Sequence, residues 1–129
     1  MASAQHILVV EDEGVLAQNV KIYLGRRFSD VRIAANGQRA MELLTSFTPD
    51  VLVLDYNLPD KNGLQIYTEI VRRRARPVGC VMITGCPLGH ISRTASELGI
   101  RYLLSKPFSL AELQRLVDQS AEDVSRPSH

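Results

Sequence analysis

Five short apolar runs recur along the chain, and each is followed by a segment with helical spacing. The runs are His6–Val10, Val31–Ala35, Val51–Leu54, Val78–Ile83 and Arg101–Leu104. The third constrains the fold most. Val51-Leu52-Val53-Leu54 is uniformly apolar and ends on Asp55, after which Asn57, Pro59, Asp60 and Gly63 mark a turn. Such a run reads as a strand buried on both faces, at the centre of a parallel sheet. Val31–Ala35 contains Arg32 and belongs nearer an edge. Between the runs, Val15, Leu16, Val20, Tyr23 and Leu24 recur at helical spacing, as do Ala40, Leu43, Leu44 and Phe47. Leu64, Tyr67, Ile70 and Val71 mark a third helix, and Leu110, Leu113, Leu116 and Val117 a fifth. The fourth is predicted to begin at Pro87, to bury Ile91, Ala95 and Leu98, and to end at Gly99. Ser109 is placed to cap the fifth, with Glu112 completing a capping box. Strand and helix alternate five times. The predicted fold is therefore α/β: a doubly wound five-stranded parallel sheet, (βα)5 and flavodoxin-like, with helices on both faces.

Length and composition agree with one domain, set at residues 6–124 with short tails at 1–5 and 125–129. The chain has 129 residues, enough to bury a core unaided. A formal net charge of +1 predicts neither a nucleic-acid nor a membrane partner. Cys80 and Cys86 are too few for a disulfide framework and have no histidine cluster beside them, so they read as plain thiols of a reducing, cytoplasmic compartment. His6, His90 and His129 lack ligand spacing. The basic stretch Arg72-Arg73-Arg74-Ala75-Arg76 reads as a solvated helix end whose cations suit the C-terminal dipole.

The chemistry is expected at the carboxyl ends of the strands, where ligands of open parallel sheets sit. There the first strand delivers Glu11 and Asp12, the third Asp55, the fourth Thr84 and the fifth Lys106. Three carboxylates within ~4–6 Å repel by about 3–4 kcal/mol per close pair at an effective dielectric near 20. A divalent cation with oxygen ligands relieves that strain, and Mg²⁺ suits a site of few carboxylates that also bridges to phosphate. A hydroxyl, a lysine and a metal around one carboxylate fit phosphoryl transfer, with Asp55 the nucleophile. No glycine-rich nucleotide loop is present, so the phosphoryl group should arrive already activated.

These residues and their order resemble the receiver domain of two-component response regulators. The resemblance rests on Leu8-Val9-Val10-Glu11-Asp12-Glu13, Val53–Gly63, Met82-Ile83-Thr84-Gly85 and Ser105-Lys106-Pro107-Phe108, and covers nearly the whole chain. It implies that Asp55 is the phosphoacceptor. It implies that Glu11 and Asp12 hold Mg²⁺ (or Mn²⁺ in its place) with Asp55 and the backbone carbonyl of Asn57. It gives Thr84 and Lys106 as the groups that bind the phosphoryl oxygens, and a cis peptide before Pro107. A sensor histidine kinase or histidine phosphotransfer protein would be the donor. A downstream protein, or a second copy in a homodimer, would bind the face made by the fourth helix, fifth strand and fifth helix. Thr84, Gly85, Tyr102 and Leu103 are the switch candidates. The chain departs from the family pattern in Gly85, where alanine is more usual, and in the Gly/Pro-rich stretch Cys86–His90. It also carries Leu103 where an aromatic is common, with Tyr102 one residue earlier and therefore on the opposite face of the strand.

The reading is a phosphoacceptor signalling module rather than an enzyme with an outside substrate, taken as a single-domain regulator. The alternatives are the receiver part of a longer, for example DNA-binding, regulator and an aspartyl-nucleophile phosphatase of the haloacid dehalogenase type. Against the phosphatase, Asn57 stands where a second acid would be required. Against a receiver-like interaction module that is never phosphorylated stands the complete set of acids, Asp55, Thr84 and Lys106.

Overall fold

The computed structural model describes residues 6–73 and 77–125. Its elements are β1 (His6–Val10), α1 (Gly14–Leu24), β2 (Asp30–Ala34), α2 (Gly37–Leu43), β3 (Val51–Asp55), α3 (Gly63–Arg73), β4 (Gly79–Thr84), α4 (Ser92–Glu97), β5 (Tyr102–Ser105) and α5 (Leu110–Ser125). The strands form one parallel sheet in the order β2-β1-β3-β4-β5. The predicted doubly wound architecture is therefore the one observed. β3 is central and buried along its whole length, and β2 lies at the edge with Arg32 exposed. The direction of winding reverses between β1 and β3, which opens a crevice at their carboxyl ends.

Residue parity sorts the core into two layers. Ile7, Val9, Val51, Val53, Val81 and Ile83 meet Val20 and Leu24 of α1 and Leu113 and Val117 of α5. Leu8, Val10, Leu52, Leu54 and Met82 meet Ala40 of α2, Ile66 and Ile70 of α3, and Ala95 of α4. Both faces of the central strands are thus covered by apolar side chains, which explains why their sequence does not alternate with polar residues.

Three details of the helices differ from expectation. Val15 is 78% exposed, because α1 buries Ala17, Val20 and Leu24, and Val15 lies on the far side of that stripe. The fourth helix does not begin at Pro87, whose backbone is extended at ψ 135°. A 3-10 turn at Leu88–His90 comes first, and α4 is only six residues long. Pro87 lies between Gly85 and Gly89, and glycine gives up the most backbone entropy on entering a helix. Leu98 falls just past the end of α4 and is 38% exposed, while Gly99 takes the left-handed conformation at φ 93°. Ser109 Oγ accepts the Glu112 N–H at 3.0 Å, which is the Ser109 half of the expected capping box of α5. The tails at 1–5 and 126–129, with His129, and the basic residues Arg74 and Arg76, fall outside the described residues.

One glycine fixes the chain's return from β3 into α3. A Cβ on Gly63 would stand 2.7 Å from the Asp55 carbonyl oxygen and 3.0 Å from Tyr56 Cα. Both are backbone atoms and cannot yield without moving β3. Gly63→Ala is expected to destabilise the fold by about 1–3 kcal/mol, the usual cost of overpacking, read from chemical denaturation midpoints.

Candidate functional site

The crevice is built from four strand ends. Glu11 follows β1, and its N–H donates to the Ala34 carbonyl at 3.0 Å, extending the ladder one residue. Its side chain is thereby turned inward and is fully buried. The loop then folds back, with the Glu13 N–H donating to Glu11 Oε2 at 3.0 Å. Asp12 stays exposed. Asp55 closes β3 and is 1% exposed, with Oδ1 accepting the Asn57 N–H at 3.0 Å. Thr84 closes β4 and is buried. The Lys106 N–H donates to the Thr84 carbonyl at 2.8 Å, which carries the β4–β5 pairing one residue beyond Ser105. The Lys106–Pro107 peptide is cis.

Lys106 Nζ is the hub of the arrangement. It donates to Asp55 Oδ2 at 3.2 Å, to Glu13 Oε1 at 3.1 Å and to Glu11 Oε2 at 3.4 Å. Three carboxylates therefore share one ammonium. Burial works against the lysine's charge, but the Glu13 hydrogen bond and the charges of Asp55 and Glu11 outweigh it and hold the group above the ordinary lysine range. Glu11 moves the other way. Loss of water around its buried carboxyl pushes its pKa up to about 7; the nearby Asp55 charge adds to this, and the Glu13 N–H and Lys106 oppose it.

One oxygen each from Glu11, Asp12 and Asp55 falls within 4.8 Å of the others, the spacing of a site for a hard cation. Glu11 Oε1 is buried and makes no hydrogen bond, although it lies 3.2 Å from Lys106 Nζ. A buried oxygen without a partner is costly, and a cation shared with Asp12 and Asp55 would satisfy it. The donor set is all oxygen, with no histidine or thiol, so the residues fit a divalent ion such as Mg²⁺.

Thr84 is brought to the same crevice but is engaged elsewhere. Its hydroxyl donates to Asn57 Oδ1 at 3.2 Å and accepts the Cys86 N–H at 2.9 Å. Asn57 also places Nδ2 3.6 Å from Cys86 Sγ. Tyr102 and Leu103 point to opposite faces of β5: Tyr102 packs with the α1–α5 layer and Leu103 with the layer of α2, α3 and α4. The Tyr102 hydroxyl bonds Asp123 of α5, which also pairs with Arg101 at 3.1 Å. Gly85 is exposed on the loop after β4. Asp60 shapes the fold instead of the crevice. Its carboxylate accepts the N–H groups of Gly37 and Gln38 at 3.0 Å each, at the start of α2. Lys61 pairs with Glu69 at 2.8 Å. His6 lies 3.5 Å from Asp50, and His90 is exposed in the 3-10 turn.

Two residues of the crevice were not singled out from sequence. Glu13 could have been found, since it extends the acidic run Glu11-Asp12-Glu13 toward Lys106. Cys86 carries no such signal; only the folding back of the loop after β4 brings it to Asn57.

Residues 7–118 match the family described as the response regulator receiver domain, and the chain belongs to that family. It is 35% identical over 109 residues to the TorCAD operon transcriptional regulatory protein TorR of Escherichia coli K12, covering 84% of this chain and 46% of that one. It is 28% identical to the transcriptional regulatory protein PdtaR of Mycobacterium tuberculosis, covering 87% of this chain and 54% of that one. The chain thus spans about half the length of these curated relatives. A CheY-like receiver domain protein of Methanospirillum hungatei superposes with a TM-score of 0.86 at 20% identity, over 95% of this chain and 98% of that one. A Burkholderia pseudomallei response regulator, solved with a phosphorylated aspartic acid, a calcium ion and citrate, gives 0.80 at 22% identity, over 94% and 71% of the two chains. No helix among the described residues is long and apolar enough to cross a membrane.

The Glu11 carboxyl is protonated more readily in the folded chain than in the unfolded one. In metal-free protein its contribution to stability is therefore full below about pH 4.5 and lost as pH rises through about 7. Denaturation at pH 5 and pH 8 in chelator should show about 1–3 kcal/mol of this loss, and Glu11→Gln should flatten it.

Proposed function

We propose that the chain is a phosphoacceptor of a two-component system, receiving a phosphoryl group on Asp55 from a histidine kinase or histidine phosphotransfer protein. The observation that carries this is the buried Asp55 carboxylate, bonded to Lys106 Nζ at 3.2 Å and within ligand distance of Glu11 and Asp12. A surface acid or a turn residue has no need of such a surrounding. The phosphorylated aspartate and calcium named for the Burkholderia regulator support the same reading.

In this reading a carboxylate oxygen of Asp55 attacks the phosphorus of phosphohistidine. An O–P bond forms as the N–P bond breaks, and the leaving imidazole keeps the electron pair. Asn57 N–H and Lys106 orient the carboxylate through one oxygen each. Lys106 then balances charge on the phosphoryl oxygens. Glu11, Asp12, Asp55 and the Asn57 backbone carbonyl would hold Mg²⁺, which supplies charge neutralisation to the transferring group.

Thr84 is the relay. To donate to a phosphoryl oxygen its hydroxyl must release Asn57 Oδ1, and a shift of Thr84 acts on the Cys86 N–H bonded to it, at the start of the loop leading to the 3-10 turn and α4. That loop joins the face of α4, β5 and α5, where a downstream protein or a second copy would bind. α4 is short and preceded by a Gly/Pro-rich turn, so it is an element a small bias can shift. Leu103, which packs in the layer of α4, is better placed than Tyr102 to follow that shift. A longer regulator built on this receiver, with a DNA-binding output, is the second reading, favoured by the roughly doubled length of the relatives.

Incubation with acetyl phosphate and Mg²⁺ should yield an acid-stable, base-labile phosphoprotein, and Asp55→Asn should abolish the label. A labelled Asp55→Asn protein would overturn the assignment. Asp12→Ala should weaken Mg²⁺ binding by about tenfold or more, the scale of one lost charge contact, measured by calorimetry.

A further inference from the structure

Glu13 is the one carboxylate against Lys106 that has no part in the phosphoacceptor scheme. It stands just before α1 with extended backbone, and its side chain does not cap that helix. Its Oε1 instead accepts from Lys106 Nζ at 3.1 Å, joining the loop after β1 to the loop after β5 across the mouth of the crevice. The two residues line a shared groove with Leu16, Pro107 and Phe108. An ammonium has three N–H donors, and Lys106 directs them at Asp55, Glu11 and Glu13. The three acceptors are not equivalent. The side chains of Glu11 and Asp55 are 0% and 2% exposed, whereas that of Glu13 is 64% exposed.

We propose that Glu13 is a positioning residue that competes with the phosphoryl group for Lys106. It holds the ammonium in the resting state and is the contact given up when a second phosphoryl oxygen takes a donor of Lys106. The inference rests on the reading of Asp55 as phosphoryl acceptor. A phosphoryl group brings close to two negative charges and three strong acceptor oxygens to the place where Lys106 now meets one carboxylate oxygen. Lys106 has no spare donor: one phosphoryl oxygen can take over the bond now made to Asp55, and a second must displace Glu11 or Glu13. Buried Glu11 and the modified Asp55 cannot move into water; exposed Glu13 can, and exposed ion pairs are weak enough to exchange. Until it leaves, Glu13 also places a negative charge on the rim over which an anionic donor must come.

The test is a double-mutant cycle on the binding of trifluoroberyllate, a phosphoryl-shaped anion, at fixed Mg²⁺. Glu13→Gln should tighten binding about two- to five-fold, the factor an exposed ion pair contributes. In a Lys106→Ala background the same substitution should give clearly less, since only the long-range effect of the lost charge remains. No tightening in the native background, or an equal gain in both, would overturn the proposal. If the unsubstituted protein binds no trifluoroberyllate and takes no label from acetyl phosphate, the acceptor assignment itself fails and the inference falls with it. Thermal denaturation of each variant separates these outcomes from misfolding.

Discussion

The Lys106 ammonium is the constraint on which the site depends. Four acids, Glu11, Asp12, Glu13 and Asp55, are gathered at one end of one sheet, and two of them are buried. Left alone, such a group would protonate or push the loops apart. Lys106 meets three of the four and is itself held by the pairing of its backbone with Thr84. The compensation is incomplete. Glu11 stays shifted upward, and one of its oxygens has no hydrogen bond. A site left short of positive charge in this way is suited to accept a cation. In the proposed reading, the site with that cation bound accepts a phosphoryl group.

The fold serves this by placing a rigid floor under the acids. β1 and β3 are adjacent and buried on both faces, so Glu11 and Asp55 leave the sheet at fixed heights from neighbouring strands. Gly63 lets α3 close directly onto the Asp55 carbonyl. The proposed switch lies on the other side. Thr84 is held by Asn57 from the loop after β3 and by the Cys86 N–H from the loop after β4, and the latter loop leads into a 3-10 turn and a helix of six residues. Stable acids and an adaptable hydroxyl loop are what a switch driven by local charge requires.

Much of this was legible in the residues, for identifiable reasons. The uniformly apolar Val51–Leu54 could only be a strand covered on both sides, and that placed Asp55 at the crevice. The opposite facing of Tyr102 and Leu103 followed from strand alternation alone. The start of the fourth helix did not follow, because Pro87 is compatible both with a helix's first turn and with extended backbone; the neighbouring glycines decided it. Val15 misled because a helical run of apolar residues wider than one face does not say which residue is left outside. The Asn57–Thr84–Cys86 contacts were hidden for another reason. They join residues 27 and 29 positions apart through a loop whose path no local pattern dictates.

The central claim is that Asp55, and none of the acids around it, takes the phosphoryl group. Borohydride reduces an aspartyl phosphate to homoserine, so reduction of the acetyl phosphate-treated protein followed by peptide mass spectrometry reads the modified position directly. The account predicts homoserine at position 55 and unmodified acids at 11, 12 and 13. Reduction at any of those three positions, or none at 55, would contradict it.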